Sequence, residues 1–151
     1  TVIVGVNRDN EMVYFDRFHQ LDWTFQKNKI KAVVARYNDA KVLVDSTGIG
    51  DPIFDDLRAD GLNIAGYKFT NESKKKLIEG LAIHFENSTI SIAEIPELLA
   101  ELDLYEYQIT PSGNITYGAP DGYHDDCVTA LALASHCRST IFAETRVLFE
   151  V

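Results

Sequence analysis

The sequence predicts an α/β fold, a mixed β-sheet flanked by helices. Three observations carry this. Short β-branched runs, such as Thr1-Val2-Ile3-Val4-Gly5-Val6, alternate along the chain with longer stretches whose apolar residues recur at helical spacing. One buried-type run, Val42-Leu43-Val44, ends in a carboxylate, Asp45, and opens into the glycine-rich Ser46-Thr47-Gly48-Ile49-Gly50-Asp51-Pro52. A second acidic site, His124-Asp125-Asp126, runs directly into the apolar stretch Cys127-Val128-Thr129-Ala130-Leu131-Ala132-Leu133-Ala134.

Taken in order, Thr1 to Val6 is a strand, Asn7-Arg8-Asp9-Asn10 is turn chemistry, and Met12 to Phe18 is a second strand closing a hairpin. Thr24 to Tyr37 reads as a helix with Ile30, Val33, Val34 and Tyr37 on one face, and Lys27, Lys29, Lys31 and Arg36 largely off it. Lys41 to Val44 is a short strand, apolar enough for burial on both faces. Asp45 stands at its C-terminal end, the edge at which open α/β sheets bind ligands. Pro52 suits the first turn of a helix that continues to Ala59 and is closed by Gly61.

Leu62 to Phe69 is the next strand, and Thr70-Asn71-Glu72-Ser73 supplies N-cap residues for a helix from Ser73 to Phe85. Its apolar face is Leu77, Ile78, Leu81, Ala82 and Phe85. Ser88 to Ile92 reads as a short strand, and Pro96 to Leu102 as a helix with Ile95 and Leu99 inward. Tyr105 to Thr110 and Ile115 to Tyr117 are strands across the turn Pro111-Ser112-Gly113-Asn114. Gly122 lets the chain turn into the last helix, which runs to about Ser139, and Phe142 to Val151 is expected to be extended.

A chain of 151 residues that is 46% hydrophobic suits one domain with a real core, and no segment approaches a membrane span. The N-terminus carries no basic leader. Cys127 and Cys137 lie nearly three turns apart on one predicted helix, too far for a bridge, and are read as reduced and buried. His124, Cys127, His136 and Cys137 match no structural zinc spacing. A net charge of −9 argues against a DNA-coating protein but does not exclude an enzyme that holds nucleic acid along one basic strip. Lys74-Lys75-Lys76, at a helix start where positive charge opposes the dipole, hints at an anionic partner. The Ser46 to Pro52 loop lacks the lysine and spacing of a Walker A phosphate loop.

The plain reading of Asp125 and Asp126 is that they cap a core helix. A second acid elsewhere changes the balance. Asp45 at a strand end and Asp125 and Asp126 at a helix start can converge on one sheet edge. Clustered carboxylates repel and call for a cation or for raised pKa values. Hard oxygen ligands with open positions suit Mg²⁺ or Mn²⁺, and two such ions about 4 Å apart support phosphodiester cleavage.

The segment Val44-Asp45-Ser46-Thr47-Gly48-Ile49-Gly50-Asp51-Pro52 resembles the second acidic motif of the nuclease domain of tailed-phage large terminases. Residues 105–120, followed by His124-Asp125-Asp126, resemble its third, and Phe69 to Lys74 add to the match. The resemblance covers most of the chain. It implies a ribonuclease-H-like fold and metal-dependent endonucleolytic cutting of double-stranded, concatemeric DNA during genome packaging. Residue by residue, Asp45 matches the second carboxylate and Asp125 or Asp126 the third, with His124 nearby as metal or catalytic support. Apart from the resemblance, Lys74, Lys75 or Lys76, with part of the basic set on the Thr24 to Tyr37 helix, is expected to touch DNA phosphates. The implied cofactor is Mg²⁺ or Mn²⁺, two ions in a complete domain. The implied partners are a packaging ATPase domain, a small terminase subunit and a portal, in the host cytoplasm at the procapsid and away from membranes. The family carries its first catalytic Asp on a strand ahead of the opening hairpin. Neither Asp9 nor Asp16 takes that position, so that strand and the ATPase domain are expected upstream of Thr1. Two alternatives remain open. One is another ribonuclease-H-like enzyme, such as a junction resolvase or transposase core. The other is a non-catalytic DNA-binding or assembly module.

Overall fold

The computed structural model describes residues 1–19, 22–47, 52–109 and 115–146. They form two compact units: residues 18–69, and residues 1–17 together with the chain from Thr70 onward. The loop glycines Gly48 and Gly50 with Asp51, the turn Pro111 to Asn114, and residues 147–151 lie outside the described residues.

In the larger unit, β1 (Val2–Val6) and β2 (Met12–Arg17) pair antiparallel, with a register irregularity between Gly5 and Val6. Asn7 shapes the connecting turn: its Oδ1 accepts the N–H groups of Asp9 and Glu11, each at 2.9 Å. Asn10, at φ 62, is fully buried and donates its Nδ2 to the Thr89 carbonyl. Because the turn is tied down there, Glu11 forms a parallel bridge with Ser91. That single bridge replaces the strand expected over Ser88 to Ile92. Ser88 sits at φ 53 in the turn after the preceding helix, a conformation no strand residue adopts.

The smaller unit begins its secondary structure with α1 (Trp23–Arg36), capped by the Asp22 side chain accepting Phe25 N–H at 3.0 Å. β3 (Val42–Asp45) and β4 (Ile64–Tyr67) pair in parallel and are joined through α2 (Pro52–Ala59). Gly61, at φ +84, ends α2 as expected. Leu57 of α2 is fully buried. β3 is only half-buried rather than covered on both faces.

The remaining elements belong to the larger unit. α3 (Asn71–Glu86) starts two residues earlier than expected, because Thr70 and Ser73 close a reciprocal capping box. Leu77, Ile78 and Leu81 are buried, whereas Ala82 and Phe85, expected on the same face, are exposed. α4 (Pro96–Leu104) buries Leu98 completely and leaves Leu99 39% exposed, the reverse of the inward Leu99 that spacing suggested. β5 (Glu106–Ile109) and β6 (Ile115–Gly118) form the expected antiparallel hairpin. α5 (Asp126–Arg146) continues past Ser139, so residues 142–146 are helical rather than extended. Parallel and antiparallel pairing both occur, and among the described residues each ladder has two strands.

α5 is the spine of this unit. It packs on β1, α3 and α4 and buries Cys127, Val128, Leu131, Ala132, Leu133 and Cys137. Apolar positions on more than one face mark a helix enclosed by neighbours rather than laid on a surface. Both cysteines are buried free thiols. No helix among the described residues is long and apolar enough to cross a membrane.

Candidate metal and nucleic-acid site

In the smaller unit, Asp45 is the exposed last residue of β3. The chain leaves the strand immediately, and the side chain steadies that exit. Asp45 Oδ1 accepts the Thr47 N–H at 2.9 Å and also the Thr47 hydroxyl. Thr47 Oγ1 in turn accepts the Phe69 N–H at 3.0 Å, tying the loop to the residues beyond β4. Gly66 completes the arrangement, since a Cβ there would overlap Ser46. Among the described residues Asp45 Oδ2 has no hydrogen-bond partner, which leaves one carboxylate oxygen for a ligand. On α1, Lys27 and Lys31 are paired with Asp56 and Asp60 of the same unit, so half of the basic strip is already neutralised.

In the larger unit, Gly122 at φ +87 reverses the chain into the acidic site. Tyr123 and His124 are exposed, Asp125 is half-buried, and Asp126 is the exposed first residue of α5. Asp125 holds the N-cap position, with its carbonyl accepting the Thr129 N–H at 2.9 Å. Its side chain does not cap. Asp125 Oδ2 instead accepts Lys74 Nζ at 2.9 Å, a contact from the start of α3 to the start of α5. Gly118 lies beside the pair: a Cβ there would stand 3.5 Å from Asp125 Oδ2 and 3.8 Å from Lys74 Nζ. Tyr105 closes the inner side. Its hydroxyl is buried without a hydrogen-bond partner among the described residues, and burial first, then the charge of Asp125, pushes its pKa up.

The capping that sequence reasoning assigned to Asp125 is done by a residue it passed over. Glu101 of α4 is buried, and its Oε2 accepts Cys127 N–H at 2.7 Å and Val128 N–H at 3.4 Å. Arg17 Nη2, at the end of β2, lies 3.6 Å from Glu101 Oε1. A signal for Glu101 was present. It lies three residues after Leu98, on the same helical face, so a buried Leu98 carries Glu101 inward with it.

The other two lysines of the run also have acidic neighbours: Lys75 Nζ is 3.8 Å from Glu79 and Lys76 Nζ is 2.7 Å from Glu72. Both pairs are exposed and therefore weak enough to yield to a polyanion. Among the described residues no three His, Cys, Asp or Glu side chains gather as a metal-holding group. This holds for His124, Asp125 and Asp126 as much as for His124, Cys127, His136 and Cys137. What the acidic residues offer is hard oxygen, the donor type of Mg²⁺ and Mn²⁺. Asp125 already holds a cation, the Lys74 ammonium, on one of its oxygens.

Cys127 reports on this corner. Burial, and after it the hydrogen bond and charge of Glu101, push its thiol from an ordinary 9.0 up to about 12. A raised folded-state pKa contributes stability that is complete below pH 9 and is lost as pH climbs through 12. By pH 10.5 the loss from this one group is about 2 kcal/mol. Melting temperature is therefore expected to fall between pH 9 and 10.5, and to fall less in Cys127→Ala. The native thiol is expected to resist thiol-labelling reagents at pH 8, and rapid labelling there would show that the corner is open.

The chain is similar to known proteins over most of its length. Residues 2–137 match the model of the terminase RNaseH-like domain. The chain is 34% identical over 124 residues to the terminase large subunit of Thermus virus P23-45, a match that takes in 82% of the chain and 26% of that relative. It therefore spans about a quarter of the length of the curated relatives it matches. Among solved structures it is similar to the large terminase nuclease of thermophilic phage G20c with bound cobalt, at TM-score 0.82 and 28% identity, covering 89% of the chain and 80% of that protein. The magnesium-bound form of the same nuclease gives TM-score 0.81 over the same shares. The nuclease domain of the Thermus phage P74-26 large terminase gives 0.76 at 27% identity, over 88% of the chain and 77% of that domain.

Proposed function

Because the chain belongs to the terminase RNaseH-like domain family, we propose that it is the metal-dependent endonuclease domain of a tailed-phage large terminase, cutting double-stranded concatemeric DNA during genome packaging. The observation that carries the reading is Asp125. A half-buried carboxylate at the N-cap of a core helix would ordinarily be consumed by its own helix; this one is turned away from it and holds a cation instead. Asp45, with one oxygen spent on its loop and the other available, is the second acid. Asp126 and the exposed His124 stand next to Asp125 in support.

The proposed cofactor is Mg²⁺ or Mn²⁺, two ions in the complete domain. Bound there, such ions lower the pKa of a water and steady the leaving oxygen. This chain's own residues supply anionic oxygens held in place by a strand end and a helix start. Lys74, Lys75 and Lys76 contact phosphates, a sequence-independent and salt-sensitive interaction that offsets the chain's net charge of −9. The proposed partners beyond DNA are the packaging ATPase domain, the small terminase subunit and the portal, at the procapsid in the host cytoplasm. The reading also includes a further Asp on a strand upstream of Thr1.

Cleavage of supercoiled plasmid in Mn²⁺ tests the proposal. A polypeptide extended upstream by one strand and a turn, on the order of 15 residues, is expected to cut, and the 151-residue chain alone to be nearly inert. Chelation or Asp45→Asn should stop the cutting, while Lys75→Glu with Lys76→Glu should weaken duplex binding equally across sequences. Undiminished cleavage by Asp45→Asn would overturn the assignment of the acids.

A further inference from the structure

The first turn of a helix leaves N–H groups without partners inside the helix, and an Asp at the N-cap normally accepts those of the second and third residues. In α5 those groups belong to Cys127 and Val128, and Asp125 is in place to take them. Both are taken by Glu101 Oε2, at 2.7 and 3.4 Å, from a different helix. Glu101 is 7% exposed, which is rare for a carboxylate and costly unless it is paired. Its cost is offset by the two amide donors, by the positive end of the α5 dipole and by Arg17 at 3.6 Å. An ordinary N-cap by Asp125 would need no buried charge at all. Placing one here has a local consequence: the Asp125 carboxylate is released from its helix and stands against Lys74.

We propose that Glu101 is a positioning residue for Asp125, a substitute cap that occupies the α5 amides so that the Asp125 carboxylate is kept available to bind a divalent cation. The proposal rests on the metal-site reading above and adds to it a residue from α4. Arg17 has the supporting part: its guanidinium charge lies 3.6 Å from Glu101 Oε1, an ion pair without a hydrogen bond. Without Glu101, the two orphan amides are expected to recruit the N-cap carboxylate, Asp125, and the metal site loses it.

Two measurements decide this. On the unaltered protein, a trans-hydrogen-bond coupling from the Cys127 amide nitrogen is expected to reach the Glu101 side-chain carboxyl carbon; a coupling to Asp125 instead overturns the proposal, and this requires no variant to fold. Calorimetric titration with Mn²⁺ is then run on the unaltered protein, Glu101→Ala, Glu101→Gln and Asp125→Asn, with folding checked by circular dichroism. Glu101→Ala should weaken Mn²⁺ binding by roughly ten- to a hundredfold, the range for loss of an outer-shell partner. Glu101→Gln keeps an oxygen that accepts the amides and should bind nearly as the unaltered protein does. If Glu101→Gln is as weak as Glu101→Ala, the charge and not the cap is at work, and the proposal fails. If Glu101→Ala binds normally while Asp125→Asn is weakened, the positioning role fails and the metal site stands. If Asp125→Asn binds as tightly as the unaltered protein, the metal-site reading fails and takes this proposal with it.

Discussion

In the polypeptide extended upstream, Asp125→Asn is expected to abolish plasmid cleavage, while Asp126→Asn costs no more than about tenfold. The two residues are adjacent and chemically identical, so the difference lies entirely in placement. Asp125 is half-buried, and its Oδ2 holds the Lys74 ammonium at 2.9 Å beside the space that Gly118 leaves open. Asp126 is exposed at the first helical position, where its charge favours the helix dipole and is screened by solvent. On the proposed reading Asp125 is a metal ligand, and its loss should exceed the roughly 10–100-fold that loss of an outer-shell partner costs. Loss of a solvated neighbour should stay within about tenfold. The Asn variant keeps the size and hydrogen-bonding oxygen of Asp125, so a fall in rate with unchanged melting behaviour assigns the effect to charge at the site. Cleavage rates in Mn²⁺ for the two variants, measured side by side, check this. Equal losses would mean that the pair acts as one unit, and a larger loss in Asp126→Asn would exchange their roles.

Much of this arrangement was legible in the residues, and what was not has a physical reason. Local chemistry announced itself: Thr70 and Ser73 as a cap, Gly61 and Gly122 as positive-φ turns, Pro52 as a helix start, and the pairing of β1 with β2 and of β5 with β6. These features depend on neighbours within a few positions, which the sequence displays directly. The acidic residues were also visible as types, Asp45 at a strand end and Asp125 at a helix start. Their hydrogen-bond partners were not. Lys74 and Asp125 are 51 positions apart, and Glu101 and Cys127 are 26 apart. No local periodicity encodes such contacts. The short segment at Ser91 was over-read as a strand because Ile90 and Ile92 flank it, whereas its backbone makes one bridge to a turn that Asn10 anchors. Lys27 and Lys31 pair with Asp56 and Asp60, neighbours that spacing alone could not assign, whereas Lys75 with Glu79 and Lys76 with Glu72 stand four residues apart on one helix, pairs that helical spacing does assign.

Leu98→Ala is expected to destabilise the protein by about 2–5 kcal/mol, and Leu99→Ala by less than about 1 kcal/mol. The adjacent leucines on α4 separate the two ways the helix could face. Spacing favours the face of Ile95, Leu99 and Leu102, because it is apolar throughout; the alternative pairs Leu98 with Glu101 and asks a carboxylate to enter the core. The helix takes the alternative. Leu98 is fully buried where α4 packs on α5, Leu99 is 39% exposed, and Glu101 goes inward to meet the Cys127 and Val128 amides. The orientation of α4 is thus decided by the needs of the α5 N-terminus rather than by its own apolar count. Truncating Leu98 opens a cavity against a helix enclosed on several sides, which collapses poorly, and the melting temperature should drop on the order of 10 °C. Truncating Leu99 removes a partly solvated side chain and should move it little. Thermal melts of the two variants at pH 7 give the comparison. Equal destabilisation would return α4 to the apolar face and withdraw Glu101 from the amides of the acidic helix.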